Sequence, residues 1–528
     1  MNNASPSQQA ITNRAANPTV SLPGARWRVA GCLGALMGVA FSFCLSARAV
    51  KADDSATPEQ LLSALPDQLT SEIPPDVDPK LLKEFGDKKM FAEQQLLFDI
   101  LSWRSFVALC WPVGRDGKPL PKLTDAGTNT FETLINDENV FLPDGQKPKD
   151  WNAPRANAHT PTAKPGQRVL RLISAVHGAI EDKVGKKSEL AEAFKFPLWD
   201  QNGFMVRYEI FLNRAEYDYI VCNGLYSLDG QAAFFQKGKP VNFPSGVYGT
   251  KKVGAIEVKL AWKILLPDKG DLPGRFITAE GYTVDHAGKL HKRLFGLVGM
   301  HISHKTQTSP QWAWSTFAHV DNLETNALAR FEGKPIKPLF FNASNNGQLL
   351  PINIPSQQLQ PFKDGMHPTQ IFSFQLVPPA TRQVTRTARR RLRQWGSVLQ
   401  YYDLLGSQWP TDPSAPPTPP GNYPGSVTNK ASGQPTPVYL INPIMETYFQ
   451  EANQIFGNQE EGFPKDTRRI FGTESCMGCH SSAAIATSVV TPAQGPKQIT
   501  FAAPLSIPHS ADFSWLLQQK AHATPIKK

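Results

Sequence analysis

The sequence predicts an α+β fold whose centre is a β-rich scaffold built on an antiparallel sheet, with helical segments beside it and a mainly helical C-terminal segment. Three observations carry this expectation. Apolar and polar residues alternate in runs through the middle of the chain; a helical apolar pattern from Phe91 precedes them; and from residue 382 the apolar period lengthens to that of a helix.

In chain order, the first residues form a polar, acid-free leader with Arg14, Arg26 and Arg28, followed by an apolar stretch over 29–45. Small-residue cleavage signals follow at Ala47-Arg48-Ala49 and Val50-Lys51-Ala52. This is the pattern of an export signal over residues 1–52, cleaved near 49 or 52 and delivering the chain to the periplasm. The alternative is an uncleaved N-terminal anchor, because an apolar stretch of this length approaches what hydrocarbon requires.

Residues 53–88 are acidic and rich in proline (Pro66, Pro74, Pro75, Pro79), an ordered lead-in only in part. From Phe91, the apolar positions Leu96, Leu97, Ile100, Leu101, Phe106 and Val107 predict a core helix, stopped by Trp111-Pro112 and the turn at Gly114 to Gly117. The loop-rich interval 117–166 has the length of a lid or an insertion. Strands are then expected over 204–211, 253–265 and 294–304; the second alternates Ile256, Val258, Leu260, Trp262 and Ile264 against Glu257, Lys259 and Lys263.

Over 382–405 the stripe Val384, Ala388, Leu392, Trp395, Leu399 and Tyr402 predicts an amphipathic helix, with Arg382, Arg386, Arg389, Arg390 and Arg393 largely on its other side. Those arginines read either as a docking face for an acidic partner or as a solvated face. A Pro-rich linker occupies 410–437, and a helical pattern resumes over 439–456. The expected organisation is a scaffold over 53–380, a basic helical segment over 381–409, the linker, and a C-terminal segment over 438–528.

Composition excludes several classes. At 528 residues, the chain is far too long to be a small carrier protein alone. Its formal charge is +10, and four arginines of the leader (14, 26, 28 and 48) account for part of it, which leaves about +6. That balance favours an acidic redox partner or association with an anionic membrane surface; it is not a nucleic-acid signature in an exported protein. No phosphate-binding glycine loop, nucleophile elbow or zinc-protease motif is present.

Near the C-terminus stands Cys476-Met477-Gly478-Cys479-His480. Two thiols at this spacing reach the two vinyl groups of one porphyrin, while the adjacent histidine places an imidazole under the iron. Zinc knuckles and redox dithiols also use Cys-x-x-Cys, but neither needs a histidine directly after the second cysteine. The motif and the leader together resemble those of exported c-type cytochromes. The resemblance implies one haem c, bound covalently through Cys476 and Cys479, with His480 as an axial iron ligand. Of six cysteines, two lie in the leader (Cys32, Cys44) and two in this motif, so Cys110 and Cys222 remain, either as one disulfide or as two separate thiols.

The resemblance to small electron-carrier cytochromes stops at the pentapeptide, since no methionine follows it. In its C-terminal placement the motif is similar to that of the four-helix cytochromes c-prime and of certain β-sheet cytochromes, nearer the latter. The stretches 299–304 and 312–322 also resemble a segment of large bacterial monohaem proteins. Candidates for the iron's second ligand are His319, His509, His301 and Met445. Alternation along a strand over 294–304 puts His301 and His304 on opposite faces, so only one of them lines a given pocket. With a second protein ligand the chain is an electron-transfer protein. With an open iron, a pocket around His301 or His319 makes it a haem-dependent oxidoreductase acting on peroxide, oxygen or a nitrogen oxide. A third reading makes the scaffold a ligand-binding or sensory module.

Overall fold

Seven strands form the main path of one antiparallel sheet, and an eighth pairs beside it. In this computed structural model the strands are β1 (Ile135–Asn136), β2 (Arg207–Leu212), β3 (Ile256–Ile264), β4 (Thr278–Val284), β5 (Leu290–His304), β6 (Ala313–His319), β7 (Tyr402–Pro410) and β8 (Pro435–Thr436), in the spatial order β8-β7-β6-β5-β3-β2-β1. Strand β5 is the spine. Its first half pairs with β4 and its second half with β6, while β3 runs along its other edge. The structure describes residues 56–154, 170, 198–284, 289–323, 328–340, 353, 369–417, 431–450, 475–492, 497–502 and 511–525. The leader, residues 418–430 of the linker and His509 lie outside the described residues.

Register assigns the faces. Lys259 pairs with His301 and His301 with Thr316, so these three project together, as do Glu257, Ser303 and Trp314 on the same side. The opposite face carries Val258, Leu260, Met300, Ile302, Phe317 and Leu404, all buried. Helix α3 (Phe91–Leu109) covers that apolar face, joined by α1 (Pro58–Gln68) and α6 (Pro379–Gln394). Phe106 stacks on Phe317 with ring centres 4.2 Å apart, and Trp103 meets Phe317 edge-on at 5.1 Å. One polar network is enclosed there: Asp99 accepts from Thr381, Gln95 and Ser407, tying α3 to α6 and β7.

The expected core helix and the three long strands are present, with ends shifted by a few residues. Three expectations change. The lead-in is more ordered than its prolines imply, because Thr57 and Gln60 form a capping box on α1 and Asp78 caps α2 (Pro79–Asp87). The helix expected over 382–405 ends at Gln394; the positive φ of Gly396 breaks it, and Tyr402, Leu404 and Trp409 belong instead to strand β7. Between residues 439 and 450, Pro443 interrupts the pattern read as helical, and only a 3-10 turn forms at Thr447–Phe449.

The other face of the sheet is covered by residues 439–450, by α4 (Arg214–Asn223) and α5 (Leu228–Phe235), and by the C-terminal segment. That segment contains α7 (Cys476–His480), a hairpin of β9 (Ala486–Val490) and β10 (Gln498–Phe501), and α8 (Trp515–Gln519). Among the described residues no helix is long and apolar enough to cross a membrane.

Candidate haem site

Helix α7 is the pentapeptide itself. Ser475 caps it, its hydroxyl accepting from the Gly478 amide at 3.1 Å, and Gln408 of β7 accepts from the Met477 amide at 2.7 Å. Met477 is fully buried, and it pins the turn to the sheet while Cys476 and Cys479, three residues apart, share one side of it. Neither thiol is in a disulfide, and the Cys476 thiol donates to the Leu440 carbonyl at 3.9 Å. Burial pushes the Cys476 thiol well above its ordinary pKa, and Glu446 and Cys479 push it the same way. A thiol held protonated reacts slowly with disulfides.

His480 is held by its own chain. Its Nδ1 lies 2.8 Å from the Phe513 carbonyl oxygen, which can only accept, so Nδ1 carries the proton and Nε2 keeps its lone pair. The carbonyl is fixed in turn: Asp512 and Phe513 sit at φ 48° and 69°, a left-handed conformation that few non-glycine residues adopt. The Trp312 indole donates to the Asp512 carbonyl at 2.9 Å, and the Asp512 carboxylate accepts from the Phe243 amide and from Lys305. The Trp314 ring lies 4.4 Å from the His480 ring. Burial, followed by the charges of Lys259 and His301, holds His480 down to about 4, so the imidazole is neutral at physiological pH.

No family model, curated protein or solved structure matches this chain. Its chemistry therefore rests on its own residues. For haem c the donor set fits: two reduced thiols on one helical turn and, beside them, a neutral imidazole whose free nitrogen is set by a backbone hydrogen bond.

Strand parity sorts the candidates for a second ligand. His301 projects from the face that carries the motif. Its Nε2 lies 2.6 Å from Glu446 Oε1, and the other oxygen of Glu446 accepts from the Asn442 amide at 2.7 Å. Burial works to raise the Glu446 pKa, but His301 and Lys259 outweigh it and the carboxyl stays below its ordinary value. Met445 is also on this side, fully buried, with its sulfur packed where Gly299 leaves room. His319 is on the opposite face. Its Nε2 donates to the Arg275 carbonyl at 2.9 Å, its Nδ1 accepts from the Asp321 amide at 3.1 Å, and its ring stacks on Phe276. With both nitrogens engaged and a sheet between it and the motif, His319 is a structural residue, which corrects the expectation that it approaches the iron.

Cys110 is buried at the end of α3 and Cys222 is exposed on α4, so the pair stands as two separate thiols. Lys259, Glu446 and the Phe513 carbonyl escape a reading of the sequence. Glu446 has a signal, being the only charged residue between Lys430 and Glu451. A backbone carbonyl has none.

Proposed function

We propose that the chain is an exported c-type cytochrome that carries one haem, bound through Cys476 and Cys479 with His480 on the iron, and that it transfers electrons. The observation that carries this reading is the His480 Nδ1 to Phe513 hydrogen bond beside two thiols that are not in a disulfide. A redox dithiol has no use for a histidine so oriented; a zinc site would, but tetrahedral zinc would take a fourth ligand beside these three. The bound haem supplies a one-electron couple. The residues do the rest: Phe513 fixes the tautomer, Trp314 packs the imidazole, and Met477 and Ser475 hold the turn that presents the thiols. The leader assigns export to the periplasm, where an acidic protein is the expected redox partner.

A second reading is favoured by one observation. His301 and Glu446 form an imidazole–carboxylate pair with side chains 15% and 22% exposed, within electrostatic reach of His480. Such a pair can hold and deliver a proton at the imidazole, the equipment of a haem enzyme with an open iron.

The test is a visible spectrum of the protein produced with a haem-maturation system, ferric and ferrous, with and without carbon monoxide. Sharp ferrous α and β bands indifferent to carbon monoxide are expected for electron transfer; a high-spin spectrum that shifts with the gas supports the enzyme. Cys476→Ser with Cys479→Ser is expected to abolish haem that survives denaturation. Its persistence in that variant would sink the attachment claim.

A further inference from the structure

Helix α6 carries six arginines, no lysine and no acid in sixteen residues. Val384, Ala388 and Leu392 are buried against the core, and Arg382, Arg386, Arg390 and Arg393 are exposed along the opposite stripe. Two of the helix's other arginines are neutralised, Arg389 by Asp403 and Arg391 by Asp67. No ion pair to the four stripe arginines is found among the described residues.

Folding does not ask for this arrangement. Arg382 with Arg386, Arg386 with Arg390, and Arg389 with Arg393 are like charges one turn apart, which weakens a helix where mixed charges support it. Arginine rather than lysine matters as well, because the guanidinium fork binds phosphate oxygens in pairs.

The position of the stripe selects its occupant. It faces away from the apolar side of the sheet, whereas the pentapeptide sits on the other side. Sheet and helical layers put on the order of 20 Å between them. A redox protein docked on α6 would stand at the wrong side of the molecule.

We infer that Arg382, Arg386, Arg390 and Arg393 dock the protein on an anionic phospholipid surface, with the pentapeptide side turned away from the bilayer. Only the orientation rests on the haem reading; the binding itself does not. A basic residue near such a surface contributes about fivefold in affinity, so four contribute on the order of several hundredfold.

The test is vesicle flotation of the exported protein, with its N-terminus read by mass spectrometry to establish that the leader is gone. The wild type is expected to float with phosphatidylglycerol/phosphatidylethanolamine vesicles, to stay behind with phosphatidylcholine vesicles, and to be released by high salt. The R382Q/R386Q/R390Q/R393Q variant is expected to lose flotation while its circular dichroism is unchanged; the corresponding four lysines should keep most of it. Equal flotation by the glutamine variant, or binding indifferent to headgroup charge, overturns the proposal. So does a wild type that ignores vesicles and binds an acidic protein through the same arginines. C476S/C479S is expected to float as the wild type does, so failure of the haem reading and failure of this one are separable.

Discussion

The two faces of the sheet are written in alternate residues of the same strands, yet they are different materials. On one face Met300, Ile302 and Phe317 meet Trp103 and Phe106 in an aromatic core, and the Asp99 carboxylate enclosed there accepts from Thr381, Gln95 and Ser407. On the other face His301, Thr316, Lys259 and Trp314 are neighbours, and the segment that covers them includes the pentapeptide and a backbone held in left-handed conformations. The first face holds the fold together, and the second carries strain and partly exposed charge around the proposed haem site. Stability and chemistry are thus divided by strand parity.

That division can be broken most severely from the apolar side. Trp103→Ala removes a fully buried indole and its bond to Thr385, and is expected to destabilise the protein by about 4 kcal/mol, read as a shifted denaturation midpoint. The folded fraction should keep the wild-type haem spectrum; a changed spectrum would mean that the two faces are not independent.

Asp99 gives a pH test of the same face. Burial raises its pKa to about 6 from 3.8, against the opposing hydrogen bonds of Ser407, Thr381 and Gln95. Because the folded state binds this proton more tightly than the unfolded one, stability falls as pH rises from about 4 to 6, by about 3 kcal/mol from this group. Asp99→Asn should flatten that part of a stability–pH curve, and an unchanged slope would remove Asp99 as its source.

The smallest of these effects belongs to the other face. A methyl group on Gly299 would meet the Met445 sulfur at 3.0 Å, and Met445 can yield. Gly299→Ala is expected to lower stability by about 1–2 kcal/mol. If Met445 is held only by packing, the spectrum should not move; a spectral shift would give its sulfur a role at the iron.

How much of this was legible in the sequence depended on range. The core helix and the three long strands show in local periodicity, and the cysteine and histidine spacing is local too. The end of α6 was misread because Leu399 and Tyr402 continue a helical stripe by coincidence while Gly396 breaks it. The assignment of His301 and not His319 to the motif's face needed the register of β5 on β6, which is a long-range fact. The Asn442–Glu446–His301 chain joins residues far apart in sequence, so Glu446 could be noticed as an odd charge without its partner being known.

Strand β5 sets a rule for descent. His301 and Ser303 point one way and Met300, Ile302 and His304 the other, so losing or gaining one residue within this strand would turn histidine into the aromatic core and isoleucine toward the pentapeptide. The irregular pairing beside Ala261 and Trp262 marks where that parity is reset within the sheet. Relatives of this chain should therefore differ in length at its loops and keep the count between residues 299 and 304 unchanged.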